Sequence, residues 1–135
     1  MSKTINLGFC KLCCHDDYVV SEINEGVDMT KEQHVHILEA LTECYKDRPF
    51  GYISNRKYSF SLNPIHLTEY VNLAENLIVY GVVANNPAQR LSYAIEKIFF
   101  SKPLHYFTSY DNAVKWAKES VQKYKDSDLK AQKSA

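Results

Sequence analysis

The chain alternates between short apolar runs and longer segments in which apolar residues recur every three or four positions. The clearest run is LIVYGVVA, residues 77–84. It is too short to cross a membrane, because a transmembrane helix needs about 20 apolar residues. A continuous apolar run bounded by polar residues is typical of a strand that is covered on both faces. We therefore predict an interior strand of a parallel or mixed sheet at residues 77–84.

The same patterns predict an α/β domain over residues 1–125. Two apolar-rich runs, residues 4–13 and 18–25, flank His15-Asp16-Asp17, whose Asp residues suit a tight turn, so we predict an N-terminal hairpin. Strands at residues 50–54, 77–84 and 104–107 alternate with helical patterns. The predicted order is β-β-α-β-α-β-α-β-α, in a mixed, largely parallel β-sheet with helices packed on it. Residues 126–135 are polar, and we predict a disordered tail there.

Capping residues mark where the four helices begin. Thr30 and Gln33 fit a capping box, Asn63-Pro64 and Asn86-Pro87 each join an N-cap Asn to a Pro at the first helical position, and Ser109 can cap the last helix. Helical spacing then predicts which side chains face the core. In chain order these are Val35, Leu38, Leu41, Cys44 and Tyr45; Ile65, Tyr70, Val71 and Ala74; Ala88, Leu91, Ala94, Ile95, Ile98 and Phe99; and Ala113, Val114, Ala117, Val121 and Tyr124.

The charge balance limits the kinds of partner. Sixteen basic and sixteen acidic side chains cancel, which argues against nucleic acid because phosphate binding needs a positive excess. The chain also lacks a basic cluster for an anionic membrane surface. Its first residues, MSKTINLGF, have no long apolar core and no small-residue cleavage site. We therefore expect a cytoplasmic protein without stable membrane insertion.

Three of the four cysteines lie in the segment CKLCCH, residues 10–15. A tetrahedral zinc site needs four ligands, and no second cluster follows downstream. On a strand, Cys10 and Cys14 lie on one face and Cys13 on the other, which is poor geometry for joint chelation. We predict no metal and no cofactor, and thiols that pack as small hydrophobic groups. Metal or redox chemistry at these thiols is the minor alternative.

Four phrases of the sequence resemble a known family: VVSEINEGVDMT, RPFGYISNR, VYGVVANN and FFSKPLHYFTSYDNAVKWA. With the predicted element order, they make residues 4–125 similar to the STAS domain, and more closely to its small stand-alone SpoIIAA-like relatives of bacteria. The resemblance implies a non-enzymatic binding or regulatory domain, in some relatives with a lipid or nucleotide pocket. Anti-sigma-factor antagonists of the family carry a phosphorylated serine after an Asp at the corresponding helix start. Because SNRKYSFSLNP has no Asp-Ser pair, we do not transfer that role to Ser59 or Ser61.

The polar segment after the third predicted strand is the candidate site for a ligand or a partner. Ligands bind outside the carboxyl ends of strands in such sheets, helix N-termini favour anions, and an Arg fork can hold a carboxylate or phosphate. A plain polar connection or protein-contact surface, with solvated cations and aromatic rings folded on the core, explains the same residues. The candidate residues are Ser54, Asn55, Arg56, Lys57, Tyr58, Ser59, Phe60, Ser61, Asn85 and Asn86.

No spacing in the sequence predicts a catalytic pair. His34 and His36 lie two positions apart on a helix, so they cannot share a metal, and we predict both at the surface or flank. Two hypotheses for function follow. The first is a non-catalytic regulatory module that acts through protein contact, as a homodimer. The second is a carrier that binds a lipid or an anionic metabolite between helices and sheet, at the loop rim after predicted strands 3 and 4, with walls from Leu62, Ile65 and Leu67.

Overall fold

Residues 2–134, which the computed structural model describes, form one six-stranded sheet with helices on both faces. The spatial order of the strands follows the chain, β1-β2-β3-β4-β5-β6. The first three strands are antiparallel neighbours, and β3 to β6 run parallel. The strands are β1 (Lys3–Asn6), β2 (Cys10–Cys14), β3 (Tyr18–Ile23), β4 (Phe50–Asn55), β5 (Leu77–Val83) and β6 (Leu104–Phe107). The predicted mixed, largely parallel α/β sheet is therefore confirmed.

The N-terminal region contains one strand more than predicted, so the order is β-β-β-α-β-α-β-α-β-α. The run at residues 4–13 is broken at Gly8, which has a φ of 89°. Glycine adopts this conformation without steric cost because it has no Cβ. The Asn6 side chain accepts a hydrogen bond from the Gly8 N–H at 2.9 Å and so stabilises the turn. Because the apolar pattern continues through this turn, the sequence pattern did not predict that two strands meet there.

Four helices follow the predicted caps. They are α1 (Lys31–Tyr45), α2 (Pro64–Leu73), α3 (Pro87–Phe99) and α4 (Tyr110–Ser134). Thr30 and Gln33 form the capping box of α1, Asn63 and Asn86 cap α2 and α3, and Ser109 Oγ accepts from the Asn112 N–H at 3.2 Å. The predicted helix starts are confirmed.

The C-terminal residues differ from the prediction of a disordered tail. Helix α4 continues through residues 126–134, and their described side chains are exposed. Lys and Gln residues and side-chain pairs at i and i+4 favour a solvated helix. Gln122 and Asp126 form such a pair at 3.0 Å, and Gln132 and Asp128 form another at 3.1 Å. The polar composition of residues 126–134 therefore reflects a solvent-exposed helix that does not pack on the core.

Each face of the sheet has its own apolar core. Helices α1 and α2 cover one face, where Leu12, Ile37 and Leu41 belong to the larger core. Helix α4 covers the other face, where Ala113 and Ala117 pack on a smaller one. Strand β5 pairs with β4 and β6 and is therefore an interior strand, as predicted. The predicted cysteine faces are also confirmed, because Cys10 and Cys14 belong to the first core and Cys13 packs on the second.

Helix α4 approaches β4 closely at Gly51. A Cβ at this position would lie 3.1 Å from the Ala117 Cβ and 3.3 Å from Val79 Cγ2. Contacts this short are not tolerated without displacement of a neighbour. The pairing of a glycine with an alanine therefore sets the distance between helix and sheet.

The predicted core-facing residues are correct for part of each helix except α3. Buried members are Leu41, Tyr45, Val71, Ala74, Ala113, Ala117 and Val121. Val35, Ile65 and Tyr124 are exposed instead. On α1 the helix is rotated so that His34 is buried, with its ring stacked on Tyr70 at a centroid distance of 5.5 Å. The prediction of a surface His34 is therefore wrong.

None of the helices within residues 2–134 combines the length and apolar character that a membrane crossing requires.

Candidate functional site

Arg56, the main candidate for binding an anion, is buried against a carboxylate of its own chain. Its Nη1 donates to Glu96 Oε2 at 2.7 Å, its Nη2 donates to Glu96 Oε1 at 2.5 Å, and its Nε donates to Ser54 Oγ at 3.1 Å. Both side chains of the ion pair are almost fully inaccessible to solvent. The interpretation of Arg56 as a solvated loop charge is therefore wrong.

The surroundings of Arg56 keep it charged. Burial acts to lower the pKa of the Arg56 guanidinium, but the hydrogen bonds and charge of Glu96 outweigh burial, and the pKa is raised. A bidentate pair of this kind is short and directional. Because Glu96 already occupies two arms of the fork, Arg56 holds α3 against β4 rather than presenting a free cation at the rim.

The second cation of the segment is also paired. Lys57 Nζ lies 3.3 Å from Glu22 Oε2, and Asn55 Nδ2 donates to the same oxygen at 3.3 Å. Lys57 and Glu22 are partly solvated, so their attraction is screened. The geometry thus offers less unbalanced positive charge to an external anion than the sequence predicted.

The rest of the segment is fixed to the connection between β3 and α1. The Ser59 N–H donates to Glu25 Oε2 at 2.7 Å, and the Ser59 carbonyl accepts from the Gly26 N–H at 2.8 Å. Ser61 Oγ donates to Asp28 Oδ1 at 2.8 Å, and the backbones of these two residues form an isolated β-bridge. These bonds satisfy polar groups that the hypothesis of a ligand site had left free.

The structure brings part of the predicted rim together at the start of α3. Asn86 Oδ1 accepts from the Gln89 N–H at 2.8 Å, and Gln89 Nε2 donates to the Tyr58 carbonyl at 3.1 Å. Tyr58 and Asn85 are exposed, while Phe60 is half-buried with the Arg56 guanidinium 5.5 Å from its ring centroid. A surface cavity of about 90 Å³ lies beside them, lined by Arg56, Ser59, Phe60, Ala88 and Gln89.

Helix α3 exposes the apolar face that the sequence predicted would be buried. The exposed fractions are 65% for Leu91, 44% for Ile95 and 77% for Ile98. Ala88 and Ala94 are exposed as well, and the predicted inward position Phe99 lies outside the described side chains. These aliphatic residues at i, i+4 and i+7 lie along one side of the helix. We call Leu91, Ile95 and Ile98 the α3 face.

The orientation of α3 follows from its buried carboxylate. Glu96 points to the sheet to meet Arg56, and half-buried Tyr93, one turn earlier, packs on Tyr106 with ring centroids 5.4 Å apart. Since Tyr93 and Glu96 occupy the inward side, the α3 face turns to solvent. Forty residues separate Arg56 from Glu96, and no spacing rule in the sequence connects them.

A small cavity lies between α1, α2 and the sheet. Its volume is about 40 Å³, and its walls include Leu62 and Leu67, two of the three wall residues that the carrier hypothesis named. His34 lines it, and its buried Nε2 has no hydrogen-bond partner within residues 2–134. Burial, and secondly the neighbouring His66, lowers the pKa of His34 from 6.5 to about 4. The cavity therefore combines apolar walls with the uncharged imidazole of His34 and with the side chains of Tyr52, Tyr70 and Tyr80.

His34 could have been recognised from its helical phase. It lies three positions before Ile37 and seven before Leu41, so it shares their side of the helix, and both of those residues are buried. The predicted apolar stripe begins at Val35 instead, one position away. Across the described part of the chain, His, Cys, Asp and Glu side chains do not gather in groups of three that could hold a metal ion.

Comparison with known proteins identifies the fold. No family model and no curated protein matches the chain. Three chains of solved structures match, among them an uncharacterised protein of the DUF3478 family with a SpoIIAA-like fold from Shewanella loihica PV-4. That protein is 12% identical with a TM-score of 0.52, and the match covers 87% of this chain and 92% of that one. Similarity at this level of identity concerns the fold alone. The chain therefore has a SpoIIAA-like fold, as its sequence resemblance predicted.

Proposed function

We propose that the protein is a non-catalytic binding module of the bacterial cytoplasm, and that it acts through protein contact on the α3 face. The observation that carries this proposal is the exposure of Leu91, Ile95 and Ile98 on one side of one helix. Grouped apolar side chains in water mark interaction surfaces. Covering them releases roughly 25 cal/mol for each Å² of apolar surface removed from water.

The partner that best fits this surface is a second copy of the chain. The exposed charges of α3, Arg90 and Lys97, are basic, whereas Glu69 on the adjacent α2 and Glu75 just after it are acidic and exposed. A two-fold axis beside α3 would set the α3 of each copy near the α2 of the other. Opposite charges would then meet around an apolar centre, which is the self-complementary arrangement of an isologous dimer.

The oligomeric state in solution tests the proposal. We expect light scattering during size exclusion to give the dimer mass for the wild type, and a monomer for the double substitution Leu91→Glu and Ile95→Glu. Two buried carboxylates without partners would cost several kcal/mol at such an interface. Leu129→Glu is the matched control, since Leu129 is exposed on α4, and it should leave the dimer intact. A wild-type monomer at every concentration, or a dimer that the double variant preserves, would contradict the proposal.

The cavity beside His34 favours a second candidate function, binding of a small apolar molecule. Burial keeps His34 uncharged at neutral pH, so its free Nε2 would recognise a neutral hydroxyl or acid group rather than an anion. The site would lie between helices and sheet, away from the rim after β4. Native mass spectrometry of gently purified protein should show a bound small molecule, which Leu67→Trp, filling the cavity, should exclude. A bare mass for the wild type would eliminate this candidate.

A further inference from the structure

Cys13 and His15 form a thiol–imidazole pair at the end of β2. Cys13 Sγ lies 3.4 Å from His15 Nε2, and both side chains are half-buried. The Thr4 hydroxyl on β1 lies 3.9 Å from the same sulfur. A nucleophile within hydrogen-bond reach of a base is the arrangement that activates cysteine, because the thiolate is the reactive form. The sequence did not predict this pair, since a strand residue and one beyond the strand end have no fixed relative geometry.

The ring of His15 is held by a stacking contact, and its backbone is held by hydrogen bonds. Its ring stacks on Tyr18 with centroids 4.5 Å apart. The backbone N–H of His15 donates to the Tyr18 carbonyl at 2.8 Å and closes the turn. The Tyr45 hydroxyl, which reaches across from α1, lies 2.7 Å from the carbonyl oxygens of both His15 and Tyr18. The position of the base relative to the sulfur is therefore fixed by the fold.

Two of the other thiols have environments that suppress reaction. Burial raises the pKa of Cys10 to about 12. Burial, followed by contact with Cys44, raises the pKa of Cys14 to about 12 as well. Both thiols face the larger core, on the opposite side of the sheet from Cys13. Cys44 is half-buried on α1 and serves as the internal comparison.

The imidazole of the pair borders an open surface cavity of about 460 Å³. His15 lines it, together with Ser2, Asp16, Asp17, Tyr18 and Lys118. Asp17 is paired with Lys125 at 2.8 Å. Tyr18 of β3 and Tyr110 of α4 interact electrostatically with the Cys13 sulfur. Burial raises the pKa of each phenol, so both stay neutral near pH 7. His15 is thus the adjacent base within hydrogen-bond reach of the thiol.

We propose that Cys13 is a site of reversible modification by small disulfides, with His15 as its base. His15 Nε2 takes the thiol proton, and the Cys13 thiolate attacks one sulfur of the disulfide. A new S–S bond forms to Cys13 as the original S–S bond breaks, and the leaving thiolate takes the proton from the imidazolium. The protein gains a mixed disulfide, one small thiol is released, and no other oxidant is needed. This site is independent of the α3 face.

Reaction with oxidised glutathione tests the proposal, with peptide mapping of the adduct by mass spectrometry. In the wild type we expect the first adduct on Cys13, and none there in Cys13→Ser, while Cys44→Ser should react at the wild-type rate. His15→Asn should slow the reaction about tenfold near pH 7, because the general base is lost. At about pH 10, where an ordinary thiol with a pKa of about 8.5 is ionised, His15→Asn and wild type should converge.

The convergence separates proton transfer from a structural effect. A variant that merely disturbs the turn would differ from the wild type by the same factor at both pH values. Mapping uses the folded wild type, so its result stands even if Cys13→Ser folds poorly. A first adduct on Cys44, a His15→Asn rate equal to wild type near pH 7, or a rate ratio that does not change with pH would each overturn the proposal.

Discussion

Arg56, just beyond the end of β4, and Glu96, in the third turn of α3, form a buried bidentate ion pair across 40 residues of sequence. The pair joins the sheet to a helix that otherwise exposes its aliphatic side. It therefore determines which residues α3 presents to solvent. Because of this single contact, Arg56 has a structural role instead of the predicted ligand-binding role.

Removal of Glu96 should strongly destabilise the fold. In Glu96→Ala, Arg56 keeps its charge in a buried place without its carboxylate, and we expect a loss of about 3–5 kcal/mol in the free energy of unfolding. Urea denaturation followed by circular dichroism measures the loss. Lys57→Met is the matched control, since it removes a partly solvated pair with Glu22 and should cost less than about 1 kcal/mol. Equal losses in the two variants would contradict the structural role of Arg56.

Acid should weaken the protein through His34. The pKa of His34 is about 4 in the folded state against 6.5 as the ordinary value, so the unfolded chain binds a proton first as the pH falls. Stability contributed by neutral His34 is complete above pH 6.5 and is lost progressively between 6.5 and about 4, by roughly 3 kcal/mol.

Urea denaturation across that pH window, with two histidine variants, isolates this contribution. His34→Leu should remove the part of the pH dependence that belongs to His34. His36→Leu should keep it, because His36 is an exposed neighbour on the same helix. An unchanged slope of stability against pH in His34→Leu would show that other groups cause the acid sensitivity.

The close approach of α4 to β4 should make Gly51 sensitive to a single methyl group. Gly51→Ala would place a Cβ 3.1 Å from the Ala117 Cβ, and overpacking of this kind costs about 1–3 kcal/mol. The second substitution Ala117→Gly should recover part of the loss by removing the clashing methyl, although glycine within a helix costs up to about 1 kcal/mol. Thermal unfolding of the single and double variants measures both effects. A double variant that is less stable than Gly51→Ala would refute the steric explanation.

Local sequence rules predicted the parts of the fold that depend on near neighbours. Residues 77–84 indicated an interior strand because both faces needed covering, and Asn63, Asn86 and Ser109 marked helix starts because their side chains satisfy nearby N–H groups. The extra turn at Gly8 was not predicted, because the residues that flank it are apolar.

Long-range pairing explains why the site was predicted less well than the fold. The α3 pattern marks one aliphatic side, and amphipathicity alone assigns that side to the core. The assignment reverses only once Glu96 is known to meet Arg56. Likewise, Cys13 and His15 become a pair through the turn geometry that Tyr45 of helix α1 stabilises. Such contacts depend on the assembled sheet and leave no mark on sequence spacing.

Contacts between protomers at the α3 face provide the most direct test of the proposed function. In a mixture of isotope-labelled and unlabelled chains, filtered nuclear Overhauser spectra report only proximities between different copies. We predict intermolecular signals to the methyl groups of Leu91, Ile95 and Ile98, and none to the exposed Leu129 methyls of α4. Absence of intermolecular signals at these three residues, or signals confined to Leu129, would contradict the proposal.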